Sequence, residues 1–321
     1  AGMVVVTNDD EVRRSRKAAL ELLLSNHYAD CVGPCQLECP AAVDIQGYVA
    51  LAALGKYRDA VRLIKEKNPL PSVCGRVCTR PCEVKGCRRN LLDEAVGIDW
   101  IKRYVTDLDL GSGDAWKPEL APPNGRKVAV VGAGPAGLSC AYFLAIRGYE
   151  VEIFEALPEA GGMLRYGIPE YRLPKAVLDL EIDQILSLGV RLRTNAELGR
   201  DFTVTSLKRD GFGAIFLGLG AWASSEMRVK GENSPGVLSG IEFLKNFGLR
   251  RKIDIWGRVL VVGGGNTAID CARTALRVGA EKVTILYRRT RNEMPANEIE
   301  IVEAGHEGVA MEFLAAPVKV L

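Results

Sequence analysis

Several features that mark other classes of protein are scarce in this chain of 321 residues. It has only two histidines, and its formal net charge is only +2, with charges of both signs interspersed. No apolar run approaches the roughly 20 residues that cross a bilayer, and no signal peptide is visible. The sequence therefore predicts a protein that neither spans a membrane nor binds nucleic acid.

Common catalytic sets are also missing. With histidine only at positions 27 and 306, no Ser/His/Asp arrangement stands out, and neither does a pair of carboxylates. No C-x-x-C dithiol occurs, which argues against a thioredoxin-reductase mechanism. We therefore predict no catalytic side chain.

Cysteine is the residue type that stands out. Seven of the nine cysteines lie between residues 31 and 87. Such crowding in an intracellular chain is typical of metal or cluster ligation, so we infer a reducing, cytoplasmic setting. Thiolates suit iron–sulfur clusters or zinc, but zinc sites usually show C-x2-C pairs, which are absent. A Cys followed by Pro commonly serves a second cluster, so two 4Fe-4S clusters are favoured and zinc is the alternative. Seven of the nine cysteines form two groups: Cys31-x3-Cys35-x3-Cys39-Pro40 and Cys74-x3-Cys78-x3-Cys82-x4-Cys87.

A first dinucleotide site is predicted by residues 127–155, KVAVVGAGPAGLSCAYFLAIRGYEVEIFE. A buried strand, Val128 to Val131, leads into a G-x-G-x-x-G turn and a helix whose N-terminus favours phosphates. A second strand, Val151 to Phe154, ends in Glu155, whose carboxylate can accept ribose hydroxyls. The alternative is a glycine-rich turn with a structural role. The candidate contacts are Gly132, Gly134, Pro135, Ala136, Gly137 and Glu155.

A second site is predicted by RVLVVGGGNTAIDCARTALRVGAEKVTILYRR, residues 258–289. Ala268 stands at the third glycine position, which the fingerprint allows. The second strand, Val283 to Leu286, ends in Tyr287-Arg288-Arg289 without an acid. Guanidinium groups there suit a 2′-phosphate, so NADPH is favoured over NADH; a basic surface loop is the alternative. The candidate contacts are Gly263, Gly264, Gly265, Asn266, Thr267, Ala268, Arg288 and Arg289.

Several segments resemble known families. CQLECP, NPLPSVCGRVCTRPCEVKGC and the tandem nucleotide motifs are similar to the glutamate synthase small subunit, the N-terminal part of dihydropyrimidine dehydrogenase and the large subunit of bifurcating ferredoxin–NADP transhydrogenase. The start, GMVVVT followed by LELLLSNH and a Cys four residues later, resembles the region after the 2Fe-2S domain of the complex I large iron–sulfur subunit and of iron-only hydrogenases. That resemblance implies that His27 is a cluster ligand; a helix C-cap side chain is the alternative.

The resemblance also implies how the ligands divide. One cluster would take His27, Cys31, Cys35 and Cys87, and the other would take Cys39, Cys78 and Cys82. Relatives usually supply a Glu or Gln from the following helix as its fourth ligand. This chain has Lys102 at that position, and an ammonium ion cannot ligate iron, so we assign Cys74 instead.

The flavin contacts are likewise implied by resemblance. The segment LPEAGGMLRYGIPEYRLP follows the first motif, and the family uses this loop around FAD. Arg172 could balance pyrophosphate charge, and a surface ion pair is its alternative. DGFGAIFLGLGAW predicts a further buried strand and a glycine loop at Gly218 and Gly220. The implied FAD contacts are Glu155, Gly162, Met163, Arg172 and Leu198.

We predict an α/β protein: a small all-α iron–sulfur domain followed by two Rossmann-like domains that bind FAD and NAD(P). The chain begins in a predicted strand, Met3 to Val6, and ends in another strand-like segment, so it is expected to be truncated, at its C-terminus in particular. The expected ranges are 1–25 for the tail of an upstream domain with a connecting helix, 26–110 for the cluster domain, 111–125 for a linker, 126–253 for the FAD domain and 254–321 for the NADPH domain.

The predicted function is an NADPH-linked flavin iron–sulfur oxidoreductase module that exchanges electrons with a catalytic partner subunit or fused domain. The basic run RRSRK, residues 13–17, is a solvated helix face or a docking patch for a ferredoxin-like carrier. Two other functions stay open: a non-catalytic electron-relay or docking subunit, and a zinc-stabilised nucleotide-binding scaffold.

Overall fold

A computed structural model of the protein describes residues 2–25, 27 and 31–321. Helices make up the first third of this part, and two parallel sheets with flanking helices make up the rest, which confirms the predicted fold class. Within the described residues, no helix has the length and apolar character needed to cross a membrane.

The first helix, α1, runs from Asp10 to Ser25 and buries none of its residues. The Asp9 carboxylate caps its N-terminus by accepting the Val12 N–H at 2.8 Å. The predicted strand over residues 3–6 is wrong. These residues are exposed and pair with no strand among the described residues, so no ladder of hydrogen bonds can form.

Six short helices carry the cysteine-rich region. Asp44 caps the second of them by accepting the Gly47 N–H at 2.9 Å. Gly55, with φ +71°, makes the turn into the next helix. A small core that includes Tyr48, Ile64 and Val105 holds the helices together. The helices are α2 (Pro34–Glu38), α3 (Ile45–Ala53), α4 (Tyr57–Lys65), α5 (Pro71–Val77), α6 (Pro81–Val84) and α7 (Ile98–Gly111), with a 3-10 turn at Arg88–Leu91.

The first sheet contains four parallel strands in the order β3-β2-β1-β4. Its central strand β1 is a run of small and β-branched apolar residues, and all but the first are buried. The strand β4 lies at the edge of the sheet, so Leu217 is 52% exposed, and the predicted buried strand is wrong in its burial. The elements are β1 (Lys127–Val131), α8 (Pro135–Ala145), β2 (Glu150–Phe154), α9 (Met163–Tyr166), α10 (Lys175–Leu186), β3 (Arg191–Arg193), α11 (Val204–Arg209), β4 (Ala214–Leu217) and α12 (Gly240–Gly248).

The second sheet contains three parallel strands in the order β5-β6-β7. The middle strand, β6, alternates buried and half-buried side chains after an exposed first residue, and it leads directly to the arginine pair. Cys271 is buried in the helix after the glycine turn. The elements are β5 (Arg258–Val262), α13 (Asn266–Arg277), β6 (Lys282–Tyr287), a 3-10 turn at Arg291–Glu293, α14 (Glu298–His306) and β7 (Ala310–Phe313).

The helical region packs directly on the first sheet. Glu181, from α10, accepts the N–H groups of Ser72 and Val73 at the start of α5, at 2.8 and 2.9 Å. Leu70 and Val73 belong to the same core as strands β1 and β2. The helix that carries Cys74 is therefore fixed against the first nucleotide fold. The two regions share this core, so the packing does not divide them at a particular residue. The predicted domain boundaries therefore stay predictions.

Residues 112–125 contain no helix or strand, whereas Gly111, the first residue of the predicted linker, is the last residue of α7. Backbone hydrogen bonds hold this segment against the rest of the fold. Ala121 donates to the Ile146 carbonyl at 3.0 Å, and Asn124 donates to the Gly148 carbonyl at 2.9 Å. These bonds fix the segment to the turn between α8 and β2.

Candidate cofactor sites

The glycines of the first motif are required by close backbone contacts. Gly132 has φ +104°, and a Cβ atom added to it would lie 2.3 Å from the Gly218 carbonyl oxygen. A Cβ on Gly137 would lie 1.8 Å from the Gly132 carbonyl oxygen. No side chain fits at either position. The third glycine thus permits the close packing of helix on strand that the motif predicts.

The second glycine of the motif faces a different loop. Gly134 is the N-cap of α8, and the only atom within 4 Å of a Cβ placed on it is the Gly162 Cα, at 3.9 Å. Gly162 has φ +52°, and a Cβ on it would lie 2.7 Å from the Gly134 Cα. Two glycine loops therefore meet in front of the N-terminus of α8, with Pro135 and Met163 following them. Such a surface of bare backbone at a helix N-terminus fits a pyrophosphate.

Glu155 stands at the end of β2, where the first motif predicts an acid, and it is 6% exposed. Its carboxylate accepts the Ala133 N–H at 2.7 Å and the Leu157 N–H at 2.8 Å. These bonds hold the glycine loop against the acid. Each oxygen keeps a further lone pair, which leaves room for the predicted ribose hydroxyls. Leu198, another predicted contact, is half-buried and packs against the core cluster that contains Phe154, the last residue of β2.

Arg172 lies in a buried ion pair. Its Nη1 is 2.7 Å from Asp270 Oδ2, its Nε is 3.1 Å from Glu300 Oε1, and its side chain is 4% exposed. Burial, opposed by the Arg172 guanidinium, raises the pKa of Asp270 to about 6. The structure thus has the ion pair that was the alternative for Arg172, in the interior rather than on the surface. Its flavin contact stays a prediction.

The second glycine turn is built in a similar way. Gly263 has φ +137°, a backbone conformation that favours glycine, and Ala268 is buried at the third position. A Cβ on Gly264 would lie 2.5 Å from the Tyr287 ring. Asn266 is the first residue of α13, and its side-chain Oδ1 accepts the Asn297 N–H at 2.9 Å. The site has the shape of a phosphate-binding turn.

Arg288 and Arg289 directly follow β6, where a ribose-binding acid would otherwise stand. Both are exposed, and neither side chain forms an ion pair within the part of the chain that the structure describes. Two guanidinium groups are thus available at the strand end. Their contact with a 2′-phosphate stays a prediction.

All nine cysteines are free thiols. In the first predicted set, Gly86 lets the chain near Cys87 pass Cys35, because a Cβ there would lie 2.7 Å from the Cys35 Cα. The Cys87 Sγ accepts the Val96 N–H at 3.4 Å. His27, at the end of α1, and Cys31 are exposed. The three residues between them lie outside the described part.

The second predicted set lies deeper. Cys82 is 8% exposed, and burial raises the pKa of its thiol to about 12. The Cys78 Sγ accepts the Arg80 N–H at 3.3 Å, and the Cys74 Sγ lies 3.7 Å from Asn68 Oδ1. Cys39 packs on the same core as Cys82.

This donor set fits iron–sulfur clusters in its chemistry. The donors are soft thiols, and two of them accept backbone N–H bonds of the kind that tune cluster sulfurs. Among the described residues, no three or more His, Cys, Asp or Glu side chains are gathered closely enough to hold a metal ion. The division of ligands between two clusters therefore stays a prediction.

Sequence reasoning missed the partners of these residues. Asp270 and Glu300, which hold Arg172, lie 98 and 128 residues further along the chain, so no local pattern reveals them. A local signal did exist for the ion pair between Asp99 Oδ1 and Lys102 Nζ, which lie 2.5 Å apart. Their i, i+3 spacing places both residues on one face of α7.

Comparison with known proteins identifies relatives of the whole described arrangement. The NADP(+)-dependent formate dehydrogenase subunit beta of Moorella thermoacetica is 43% identical over 342 residues, which cover 99% of this chain and 48% of that protein. The NADPH-Fe(3+) oxidoreductase subunit beta of Geobacter sulfurreducens is 46% identical, covering 90% of this chain and 43% of that protein. The glutamate synthase [NADPH] small chain of Escherichia coli is 38% identical, covering 89% and 63%. The chain thus spans about half the length of the first two relatives.

Solved structures share the fold at low identity. A 2-naphthoyl-CoA reductase complex has a TM-score of 0.55 at 21% identity and covers 78% of this chain and 35% of that chain. FprA of Mycobacterium tuberculosis in complex with NADPH has a TM-score of 0.51 at 17% identity and covers 63% and 61%.

Two family descriptions match the chain, and together they confirm the family predicted from the motifs. Residues 8–113 match dihydropyrimidine dehydrogenase domain II, 4Fe-4S cluster. Residues 126–320, more than half of the chain, match pyridine nucleotide-disulphide oxidoreductase. The protein therefore belongs to the pyridine nucleotide-disulphide oxidoreductase family, here preceded by a 4Fe-4S domain of the dihydropyrimidine dehydrogenase type.

Proposed function

We propose that this chain is an electron-transfer module that binds FAD at the first glycine cradle, NADPH at the second and two 4Fe-4S clusters in the helical region. One observation carries the proposal: the second strand of each nucleotide motif is followed by residues of opposite charge. The first has buried Glu155 at the end of β2, and the second has exposed Arg288 and Arg289 at the end of β6. An acid suits the ribose of FAD, and arginines suit a 2′-phosphate.

The cofactors supply the redox chemistry: nicotinamide exchanges a hydride, the clusters exchange single electrons, and a flavin converts between the two. The protein residues bind and orient these groups. Gly134 and Gly162 offer backbone to the pyrophosphate, and Glu155 fixes the adenosine ribose. The contact of Glu181 with α5 holds Cys74 and its neighbours against the flavin fold.

We further propose that the electrons pass to or from a partner subunit or fused domain. The relatives are named as beta subunits of an NADP(+)-dependent formate dehydrogenase and of an NADPH-Fe(3+) oxidoreductase, or as the small chain of glutamate synthase. The exposed basic run of residues 13–17 on α1 supports docking of an acidic, ferredoxin-like carrier. A cytoplasmic location agrees with the lack of any disulfide among the nine cysteines, all of which the structure describes.

An anaerobic absorption spectrum with iron, sulfide, zinc and flavin analysis on one sample tests the proposal. About eight irons and one FAD per chain are expected, with bleaching of the flavin by NADPH and much slower bleaching by NADH. Iron without any flavin reduction would favour a relay subunit. Zinc without iron would overturn the cluster assignment.

A further inference from the structure

The flavin loop, residues 161–175, contains little regular structure that could hold it in place. It consists of the single turn of α9 and an irregular stretch that leads to the start of α10. Gly162 is the N-cap of α9, so the position of this turn decides where Gly162 stands opposite Gly134. A helix this short also leaves carbonyl oxygens without partners inside the helix. A partner for them from outside the turn would fix the loop at this end.

Lys175, the first residue of α10, supplies that partner. Its Nζ donates to the Leu164 carbonyl at 3.0 Å, to the Ile168 carbonyl at 2.6 Å and to the Leu173 carbonyl at 3.2 Å. An ammonium group has three N–H donors, so all three are used. Because the carbonyls are spread along residues 164–173, one side chain joins parts of the loop that its backbone leaves independent.

Backbone hydrogen bonds connect this joint to the first cradle. The Gly161 N–H donates to the Ala133 carbonyl at 2.9 Å, which attaches the loop to the glycine turn of the first motif. The Tyr166 N–H donates to the Gly162 carbonyl, also at 2.9 Å, across the turn that contains Leu164. A shift of Leu164 away from the ammonium would therefore be transmitted to Gly162.

The joint depends on the charged form of the Lys175 side chain. Burial lowers the pKa of Lys175 to about 8; the carboxylates of Glu170, Asp179 and Asp270 work against that fall, and Arg165 adds to it. Glu170 also accepts the backbone N–H of Lys175, at 3.0 Å. An amine that has lost its proton keeps only two donors and turns a lone pair towards the third carbonyl oxygen. Loss of the proton should therefore loosen the loop.

We propose that Lys175 is a positioning residue for FAD: its ammonium gathers three carbonyls of the flavin loop and so keeps Gly162 against Gly134 in the first cradle. The inference rests on the proposed function, in which that cradle binds the pyrophosphate of FAD. Lys175 acts through the loop, and no covalent bond forms or breaks. Because ordering a loose loop on binding costs free energy, a loop held in advance should bind FAD more tightly.

Fluorescence titration of the flavin-depleted chain with FAD, repeated between about pH 7 and about pH 9.5, tests this inference. Lys175→Met removes the three donors but keeps an unbranched side chain of similar length. FAD should bind this variant about tenfold more weakly at neutral pH. Lys208→Met, at an exposed lysine of α11, is the matched control and should bind FAD as the wild type does.

The pH profile separates positioning by the ammonium from simple packing of the side chain. The dissociation constant of the wild type for FAD should rise by up to about tenfold as pH increases through about 8, because the neutral amine has lost one donor. Lys175→Arg keeps its charge throughout this range. Its dissociation constant should therefore stay level, even if the larger guanidinium binds the loop less well than the ammonium does.

Equal FAD affinities of Lys175→Met and the wild type would overturn the inference, and so would a Lys175→Arg profile that rises with pH as the wild-type profile does. If Lys175→Met fails to fold, the profiles decide. A level wild-type profile then overturns the inference, and a rise that Lys175→Arg lacks supports it. A wild-type chain that binds no FAD would overturn the proposed function as well. FAD binding that is insensitive to Lys175 would overturn this inference alone.

Discussion

Arg172 and Asp270 join the two nucleotide folds through a contact of 2.7 Å between Nη1 and Oδ2, with side chains only 4% and 5% exposed. Arg172 follows the glycine loop of the first cradle, and Asp270 lies one turn into the helix behind the second. Next to them, the Arg273 guanidinium lies 4.5 Å from the centre of the Tyr171 ring, a second contact between the folds. The relative placement of the two cradles therefore depends on a buried polar contact.

Replacing Arg172 by Met should destabilise the protein by about 3–5 kcal/mol, because Asp270 would stay buried without the cation that contacts it, whereas Glu300 keeps its contact with Arg273. Urea unfolding of the cofactor-loaded protein would measure this loss. Flavin reduction by NADPH should also slow, because the two cradles lose a fixed relation.

Arg191→Met is the matched control for that change. Arg191 also pairs with two carboxylates, those of Glu150 and Glu152, but its side chain is 52% exposed. Water screens such a pair, so its loss should lower stability by about 1 kcal/mol or less. Equal losses for the two variants would show that the interior pair contributes no more than a surface one.

Gly162→Ala should weaken FAD binding by more than about tenfold. The substitution combines left-handed backbone strain of about 1–2 kcal/mol with a Cβ only 2.7 Å from the Gly134 Cα, so the two loops must move apart. Flavin content after dialysis and fluorescence titration with FAD would measure the change. Gly189→Ala shares the strain, with φ +89°, but its Cβ meets nothing within 4 Å. It should lower stability and leave flavin affinity unchanged.

The contrast between Gly162 and Arg172 shows what the sequence could predict. Glycine turns, their strands and the closing acid are consecutive in the chain, and backbone geometry dictates their spacing, so they were located correctly. The partners of Arg172 come from α13 and α14, and only the packed tertiary structure brings them to it. A charged residue in a cofactor loop is therefore ambiguous until its neighbours are known.

Burial was predicted less well than the elements themselves. The run at β4 is apolar enough for an interior strand, yet it lies at the edge of its sheet, because burial depends on which strands lie beside it. Residues 3–6 have strand-forming side chains but no strand beside them among the described residues. The periodicity of a segment predicts its local structure. It does not show which strand, if any, will lie beside that segment in the folded protein.

Changing both Arg288 and Arg289 to Ala should reduce kcat/KM for NADPH by about 100-fold or more, because two charge-assisted contacts with a phosphate, each of about 1.5–3 kcal/mol, are lost together. The rate with NADH, which lacks the 2′-phosphate, should hardly change. Lys282→Ala removes an exposed charge at the opposite end of β6 and should affect neither cofactor. Steady-state reduction of an artificial acceptor measures kcat/KM of the wild type and of each variant with NADPH and with NADH. A parallel loss with NADPH and NADH would assign the arginines to general binding.

Glu181 should make stability depend on pH in the neutral range. Burial raises its pKa to about 7, against the effect of the Ser72 and Val73 N–H groups and of the cations Lys65 and Arg76. A carboxyl with a raised folded pKa binds more protons in the folded state, so its contribution is complete below its unfolded value of 4.5 and is lost as pH rises through 7. The fall should reach about 3 kcal/mol.

Glu181→Gln should remove this dependence while losing one of the two backbone hydrogen bonds, since an amide offers only one acceptor oxygen. We expect the variant to be less stable than the wild type by about 1–3 kcal/mol at pH 5 and closer to it at pH 8. Urea unfolding of the cofactor-loaded protein across this range measures both values. Glu281→Gln, at an exposed position before β6, should keep the wild-type slope. If Glu181→Gln keeps that slope too, another group titrates, and the joint between the cysteine helix and the flavin fold is not sensitive to pH.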